Sequence, residues 1–225
     1  MKTILKLTNI SKTYPGVKAL QNISMEFGEG EIHSIMGENG AGKSTMIKII
    51  SGAIQPDPGE GVIEIDGEVV PHMTPALARD KGISVIYQEF TLVPTMSVVE
   101  NIFLGQRVGG KVMPDFKEMR RRAKEIFDEF GVDIDLDVMV SELTPGKQQL
   151  VEIAKALTKN VKIMIMDEPS ASISVADVKT LFSIIHKLKE KKVTIIYISH
   201  RMEEVFELSD RVSILRDGMY IGTKD

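Results

Sequence analysis

Residues Gly37–Thr45 read GENGAGKST, and this stretch decides the fold of the chain. It follows the pattern G-x-x-x-x-G-K-[ST], with Gly37, Gly42, Lys43 and Ser44 at the fixed positions. The residues before it, EIHSIM, are typical of a β-strand, and those after it, TMIKIISGAI, carry apolar residues at helical spacing. Strand, glycine-rich turn and helix form the context that a phosphate-binding loop requires.

The chemistry of this stretch favours binding of an anionic ligand. In such a turn backbone N–H groups surround phosphate oxygens, and the helix N-terminus adds the positive end of its dipole. Lys43 supplies a mobile charge for the outer phosphates, and Ser44 offers a hydroxyl ligand to Mg²⁺. We expect the whole stretch to bind a nucleotide through Gly37, Glu38, Asn39, Gly40, Ala41, Gly42, Lys43, Ser44 and Thr45.

Length and composition narrow the function classes. With 225 residues, the chain suggests one large domain or one domain with a sub-domain. The net charge of −4 disfavours a nucleic-acid binder, which usually carries a basic excess. There is no Cys, so disulfide and thiol chemistry are excluded. The N-terminal residues lack the long apolar segment of a signal peptide, and no apolar run reaches membrane-spanning length, so we expect any membrane role to go through a partner.

The residues before Thr91 predict an antiparallel sheet, followed by a short helix and a buried strand. ILKL, ISMEF and VIEIDGEVV predict an antiparallel sheet, with Asp66-Gly67 as a hairpin turn. PHMTPALARDKG predicts a short helix ending at Gly82, and ISVIYQEF predicts a buried strand that runs into a loop at Gln88. From Thr91 to Ser141 the strand patterns stop.

The absence of strand patterns after Thr91 predicts a helical insertion at about residues 91–158. Ser97 is a candidate cap for a helix through VVENIFLG, and Asp115 for FKEMRRRAKEIFDEF. The latter has an apolar face formed by Phe116, Met119, Ala123, Ile126, Phe127 and Phe130. The basic run Arg120–Arg122 lies near acids and predicts a solvated face rather than a binding patch.

The last third alternates helices and strands. After Gly146, KQQLVEIAKALTKN predicts a helix, and VKIMIMDEP predicts a central parallel strand covered on both faces. Ser174 and Asp177 predict a capping box for a helix with a buried stripe of Val178, Leu181, Phe182, Ile185 and Leu188. VTIIYISH predicts another buried strand and RMEEVFELS a short helix. VSILRDGMYIG predicts a hairpin with Asp217-Gly218 at the turn. The predicted class is α/β: a P-loop NTPase core with a parallel sheet, an N-terminal antiparallel β-subdomain and an inserted α-helical subdomain.

Two adjacent acidic residues, Asp167 and Glu168, are candidates to bind Mg²⁺ and to activate a water molecule. Asp167 follows the apolar run IMIM, so it lies at the carboxyl end of its strand, where ligands bind in α/β proteins. There it is a candidate Mg²⁺ ligand, directly or through water. Glu168 is next to it and is a candidate to orient or deprotonate an attacking water.

With these motifs in place, the chain resembles the ATP-binding cassette (ABC) ATPases over nearly its whole length. Tyr14 matches the aromatic residue that stacks on adenine, and Gln88 matches the loop glutamine that touches Mg²⁺ and water and senses the transmembrane partner. Leu143–Lys147 falls where the family has its L-S-x-G-Q signature, so Thr144 and Gly146 are expected at the γ-phosphate bound by the opposite subunit. His200 matches the family's switch histidine, which lies at the γ-phosphate.

The resemblance therefore implies ATP and Mg²⁺ as cofactors. Catalysis is expected from Glu168, His200 and Gln88, and metal binding from Ser44, Gln88 and Asp167. Thr144, Lys147 and Ser174 depart from the family pattern, which puts dimer-dependent hydrolysis in doubt rather than ATP binding.

Within the family, VEIAKAL, IMIMDEPSAS and TIIYISHRMEEVFELSDRVSILRDG look like the ATPases of bacterial monosaccharide importers. That likeness implies transmembrane permease subunits, a second nucleotide-binding domain and, indirectly, a periplasmic sugar-binding protein. It also implies a peripheral position on the cytoplasmic face of the inner membrane. Such importers usually carry two cassettes in one chain, so this sequence is expected to be the N-terminal half. The alternatives are an ABC-type ATPase acting on nucleic acid or ribosomes, and a regulatory module that binds nucleotide without turnover.

Overall fold

The computed structural model describes residues 2–59, 61–109 and 114–225. The contacts divide the chain into two compact units. The first consists of Met1–Val85, Val161–Glu168 and Leu188–Asp225, and the second of Ile86–Asn160 and Pro169–Lys187. The fold is an α/β P-loop fold, as the sequence predicts, with an antiparallel sheet and a largely parallel sheet.

The antiparallel sheet of the first unit has the strand order β2-β1-β4-β5. Its strands are β1 (Thr3–Tyr14), β2 (Val17–Gly28), β4 (Val62–Ile65) and β5 (Glu68–Val69). The predicted Asp66-Gly67 turn is confirmed, with both residues at positive φ, as a tight hairpin turn requires.

The second sheet has the order β10-β9-β3-β8-β7-β6. Its strands are β3 (Ile32–Met36), β6 (Ile83–Ile86), β7 (Ile163–Asp167), β8 (Thr194–Ile198), β9 (Arg211–Arg216) and β10 (Met219–Lys224). β3 runs parallel to β8 and β9, and β7 runs parallel to β8, so the carboxyl ends of these strands meet at one edge. The apolar strands are buried, as a sheet covered on both faces requires.

The helices are α1 (Lys43–Ile50), α2 (Pro75–Asp80), α3 (Val98–Ile102), α4 (Phe116–Phe130), α5 (Pro145–Leu157), α6 (Val175–Glu190) and α7 (Met202–Leu208). α1 buries Met46, Ile47, Ile49 and Ile50 in the core of the first unit. The second unit has its own core, built mainly from α3, α4 and α5. In the described ranges, no helix combines the length and the apolar character needed to cross a membrane.

The predicted caps are confirmed. Ser97 forms a complete capping box with Glu100, and Asp115 accepts a hydrogen bond from the Glu118 N–H. Ser174 Oγ accepts from the Asp177 N–H at 3.2 Å and also donates to Asp177 Oδ2 at 2.6 Å. These caps are readable from sequence because each uses residues three positions apart.

Several predicted boundaries were wrong. Strand β6 ends at Ile86, and Tyr87 is 40% exposed rather than part of a buried strand. Helix α3 ends at Ile102, before the predicted Gly105, because the following residues form a turn. Phe116 does not belong to the buried face of α4: it is 42% exposed in the first turn, and the Arg120 guanidinium lies 6.0 Å from its ring centre. Helix α5 begins at Pro145 because Thr144 caps it and proline is favourable at the first helical position.

Candidate active site

The glycine-rich stretch forms the loop between β3 and α1. Gly42 is the N-cap of α1 with φ of 103°, in the region that glycine adopts without strain. A Cβ atom there would lie 2.5 Å from the Ala19 carbonyl oxygen on β2, so no larger residue fits. Glu38, Asn39, Gly40 and Ser44 are exposed, which leaves the loop open to a ligand.

The side chain of Lys43 folds back over this loop. Its Nζ donates to the carbonyl oxygens of Gly37 at 2.6 Å and Glu38 at 3.0 Å, and the residue is only 7% exposed. The loop carbonyls thus fix the ammonium group inside the turn. This position matches a role of Lys43 toward the outer phosphates of a nucleotide.

The three neighbouring strands β3, β8 and β7 bring the predicted residues of the first unit to one edge of the sheet. The phosphate-binding loop follows β3, Asp167 ends β7, and His200 lies two residues after β8. Because these strands are parallel, their carboxyl ends share this edge. It is the edge where open α/β sheets bind ligands.

Asp167 is held in an environment that opposes its negative charge. Burial raises the pKa of its carboxyl, and the neighbouring Glu168 raises it further, while the ammonium of Lys43 acts in the opposite direction. A carboxylate of this kind gains from a nearby cation more than a solvated one does. Asp167 and Lys43 therefore belong to one electrostatic cluster.

Glu168 and His200 are brought into direct contact. Glu168 Oε1 lies 3.1 Å from His200 Nδ1, and their side chains are 15% and 61% exposed, respectively. Glu168 has φ of 47°, in the left-handed region, and its N–H donates to the Ile198 carbonyl at 2.9 Å. A non-glycine residue held in this conformation costs about 1 kcal/mol or more, and such strain gathers at functional sites.

Glu204 is a site residue that the sequence analysis missed. It is buried on α7 and accepts hydrogen bonds from Tyr197 Oη and Ser199 Oγ, both at 2.9 Å. Its other oxygen pairs with Arg201 Nη1 at 2.7 Å. Glu204 therefore anchors the residues on both sides of His200. Helical spacing could have revealed it, since Glu204 shares the buried face of α7 with Val205 and Leu208.

Tyr14 lies at the end of β1, in the hairpin whose second strand contacts the phosphate-binding loop. Its ring is 39% exposed, and Lys12 Nζ lies 6.0 Å from the ring centre. An exposed aromatic ring on this hairpin is available for stacking.

The remaining predicted residues, Gln88, Thr144 and Gly146, belong to the second unit. Gln88 is exposed in the loop after β6. Thr144 is the exposed N-cap of α5 and accepts from the Lys147 N–H at 3.4 Å, while Gly146 is buried in the first turn of that helix. The two units thus carry separate parts of the predicted constellation.

The predicted metal ligands are compatible with Mg²⁺. Asp167 offers a carboxylate beside the Lys43 charge, and Ser44 offers an exposed hydroxyl in the first turn of α1. Among the residues that the structure describes, no group of three His, Asp or Glu side chains could hold a metal ion. Mg²⁺ does not need such a group, since it usually binds one or two carboxylates together with phosphate oxygens and water.

Comparisons with known proteins give a consistent result. Residues 20–171 match the family described as "ABC transporter". The chain is 46% identical over 226 residues to "Ribose import ATP-binding protein RbsA" of Burkholderia pseudomallei (strain K96243), and 47% identical over 228 residues to "Ribose import ATP-binding protein RbsA 1" of Burkholderia ambifaria (strain ATCC BAA-244 / DSM 16087 / CCUG 44356 / LMG 19182 / AMMD). Each match covers 99% of this chain but 44% of the relative, so the chain spans less than half the length of these curated relatives.

Solved structures of ABC transporter cassettes are similar to this chain. The crystal structure of the ADP conformation of MJ1267, an ATP-binding cassette of an ABC transporter, matches with a TM-score of 0.88 and 30% identity, covering 99% of this chain and 91% of that one. The dimeric structure of MJ0796, a bacterial ABC transporter cassette, matches with a TM-score of 0.84 and 28% identity, covering 99% and 98%.

Proposed function

The chain belongs to the ABC transporter family, and we propose that it is an ATP-binding and ATP-hydrolysing cassette that powers sugar import through a membrane permease. In this proposal residues 1–225 form one nucleotide-binding domain with a helical subdomain inserted at about residues 91–158. The observation that carries the proposal is the contact between Glu168 and His200, at 3.1 Å, on the sheet edge that also holds the phosphate-binding loop. Phosphate binding alone needs only the loop, whereas hydrolysis needs a base and a group that orients it.

The residues have the following roles in this proposal. The loop from Gly37 to Thr45 binds the phosphates of ATP, and Tyr14 stacks on the adenine. Glu168 accepts a proton from the water that attacks the γ-phosphorus, and the bond from that phosphorus to the bridging oxygen of ADP breaks. His200 fixes the carboxylate of Glu168 and faces the γ-phosphate, and Gln88 orients the water.

The same proposal includes Mg²⁺. Ser44 and Asp167 would supply oxygen ligands, which Mg²⁺ prefers, and the family resemblance gives Gln88 the same role. When bound, the metal would neutralise charge on the phosphate oxygens. The raised pKa of the Asp167 carboxyl supports this assignment, because a buried carboxylate with an acidic neighbour is stabilised by a cation.

We also propose that a complete site is shared between two cassettes. The phosphate-binding loop and Glu168 come from one, and Thr144 and Gly146 come from the other. The dimeric structure of MJ0796 supports an assembly of this kind. The partner cassette is then either the other half of a longer chain or a second copy. The permease subunits hold the pair at the cytoplasmic face of the inner membrane, and a periplasmic sugar-binding protein delivers the sugar.

The class of substrate rests on the relatives, whose names state ribose import. No observation favours an ATPase acting on nucleic acid or ribosomes, and the acidic net charge of −4 does not support one. A module that binds nucleotide without turnover would have no use for the strained Glu168 or its contact with His200.

Titration with a fluorescent ATP analogue tests the nucleotide site. Lys43→Ala should weaken binding by about tenfold to a hundredfold, the loss expected for a charge-assisted hydrogen bond. Lys48→Ala is the matched control, since Lys48 is exposed on the same helix. Unchanged affinity in a folded Lys43→Ala chain would refute the assignment.

A further inference from the structure

The first turn of α5 is closely covered by another side chain of the second unit. A Cβ atom on Gly146 would lie 2.3 Å from Cγ, 2.5 Å from Oδ2 and 2.8 Å from Cβ of Asp177. Gly146 is helical and is absent from the residues with positive φ. The glycine is therefore needed for the space that Asp177 occupies, and not for an unusual backbone conformation.

Asp177 cannot easily withdraw from this contact. Its Oδ2 accepts a hydrogen bond from Ser174 Oγ at 2.6 Å, and its N–H donates to the same hydroxyl at 3.2 Å. An aspartate side chain has only two rotatable bonds, and its Cβ is itself among the atoms that a Gly146 side chain would meet. The hydrogen bonds with Ser174 thus hold the carboxylate against the backbone of α5.

This contact joins two segments that the proposed mechanism uses separately. Gly146 lies between Thr144 and Lys147, in the turn that we assign to the nucleotide of the second cassette. Ser174 ends the loop that follows Glu168. The three departures from the family pattern, Thr144, Lys147 and Ser174, therefore all lie at one contact or next to it.

We propose that Asp177 is a positioning residue that sets the turn Leu143–Lys147 in place for the second cassette's nucleotide. The inference rests on the proposed function, because it is that function which gives the turn its partner. Asp177 acts through Gly146 and does not touch the nucleotide. The loop after Glu168 and the turn Leu143–Lys147 are consequently placed as one piece.

A double-mutant cycle tests the inference. In a Glu168→Gln background, which is expected to keep ATP bound because the amide cannot act as a base, sedimentation with and without ATP measures self-association. Gly146→Ala should lower the association constant about tenfold, because the new Cβ displaces Asp177. Asp177→Ala should lower it as well, because the turn loses the side chain that holds it, and the double variant should lose little more than either single variant, since both substitutions disrupt the same contact. Asp177→Asn, which keeps the shape and the bond from Ser174, should associate like the parent, and Lys179→Ala is the exposed control on the same helix.

The outcomes separate this inference from the proposed function. If neither Gly146→Ala nor Asp177→Ala lowers association, or if the two losses simply add in a folded double variant, the positioning role is refuted. If the parent chain binds no ATP, the proposed function is wrong; if it binds ATP without self-association, a site shared between two copies of this chain is refuted. The contact itself would then be judged by thermal unfolding, where additive shifts of the two substitutions would refute it as well.

Discussion

Glu204→Ala should destabilise the first unit and disturb the site together. Glu204 is buried on α7 and accepts hydrogen bonds at 2.9 Å from both Tyr197 Oη and Ser199 Oγ. The substitution removes a charged acceptor from two buried donors. It also releases the segment that carries His200, which lies between Ser199 and Arg201.

The structure sets the size of the effect. A hydrogen bond to a charged group contributes about 1.5–3 kcal/mol, so two of them give an upper range of about 3–6 kcal/mol. Ser199 Oγ also accepts from the Arg201 N–H at 3.0 Å and keeps that bond in the variant. The Arg201 side chain is 46% exposed, so its ion pair adds little. We therefore expect a loss of about 3 kcal/mol in the free energy of unfolding.

Urea unfolding followed by circular dichroism measures this loss, and phosphate release measures the effect on the site. Turnover should fall about tenfold or more, because small displacements of positioned groups are costly in catalysis. Glu203→Ala is the matched control, with the same change on the neighbouring, exposed residue of α7. The reasoning is refuted if the two variants differ by less than about 0.5 kcal/mol, the range of ordinary surface substitutions.

Three further outcomes follow from the same geometry. Because the pKa of the Asp167 carboxyl is raised in the folded chain, its charge lowers stability as the pH rises above the ordinary value of 3.8. Asp167→Asn should therefore unfold at a higher temperature than wild type at neutral pH, lose this advantage in acid, and lose turnover. An unshifted melting temperature would contradict the raised pKa of Asp167. Gly42→Ala should destabilise the loop and abolish nucleotide binding because its Cβ overlaps a carbonyl. Gly40→Ala is the control, since Gly40 also has positive φ but an added Cβ meets no atom within 4 Å. Equal losses of unfolding free energy in the two variants would argue against the overlap. Turnover per chain should be low and should rise with protein concentration if the site is shared, and high, flat turnover down to the most dilute sample with only monomer in sedimentation would refute sharing.

The elements that the sequence predicted well are specified by local patterns. The phosphate-binding loop, the caps at Ser97, Asp115 and Ser174, and the two-residue turn at Asp217-Gly218 all depend on residues within eight positions of one another. Strand β7 was equally clear, because a wholly apolar run fits a strand buried on both faces.

What the sequence did not predict depends on contacts between distant segments. The place of Lys43 over the loop carbonyls and the approach of Asp177 to Gly146 follow from packing, which no local pattern encodes. The exposure of Phe116 is of the same kind, since helical spacing identifies a face but not where the neighbouring elements stop covering it. Glu204 was overlooked because an acid on an amphipathic helix is usually solvated.

The central claim is that Glu168 is the base for ATP hydrolysis, and one comparison tests it most directly. Glu168→Gln keeps the size of the side chain but cannot accept the proton, so nucleotide affinity should stay near wild type while phosphate release at saturating ATP falls about a hundredfold or more. Glu207→Gln makes the same change at an exposed position and should leave both quantities unaltered. Wild-type turnover in a Glu168→Gln chain that still binds ATP would show that Glu168 is structural and would contradict the account.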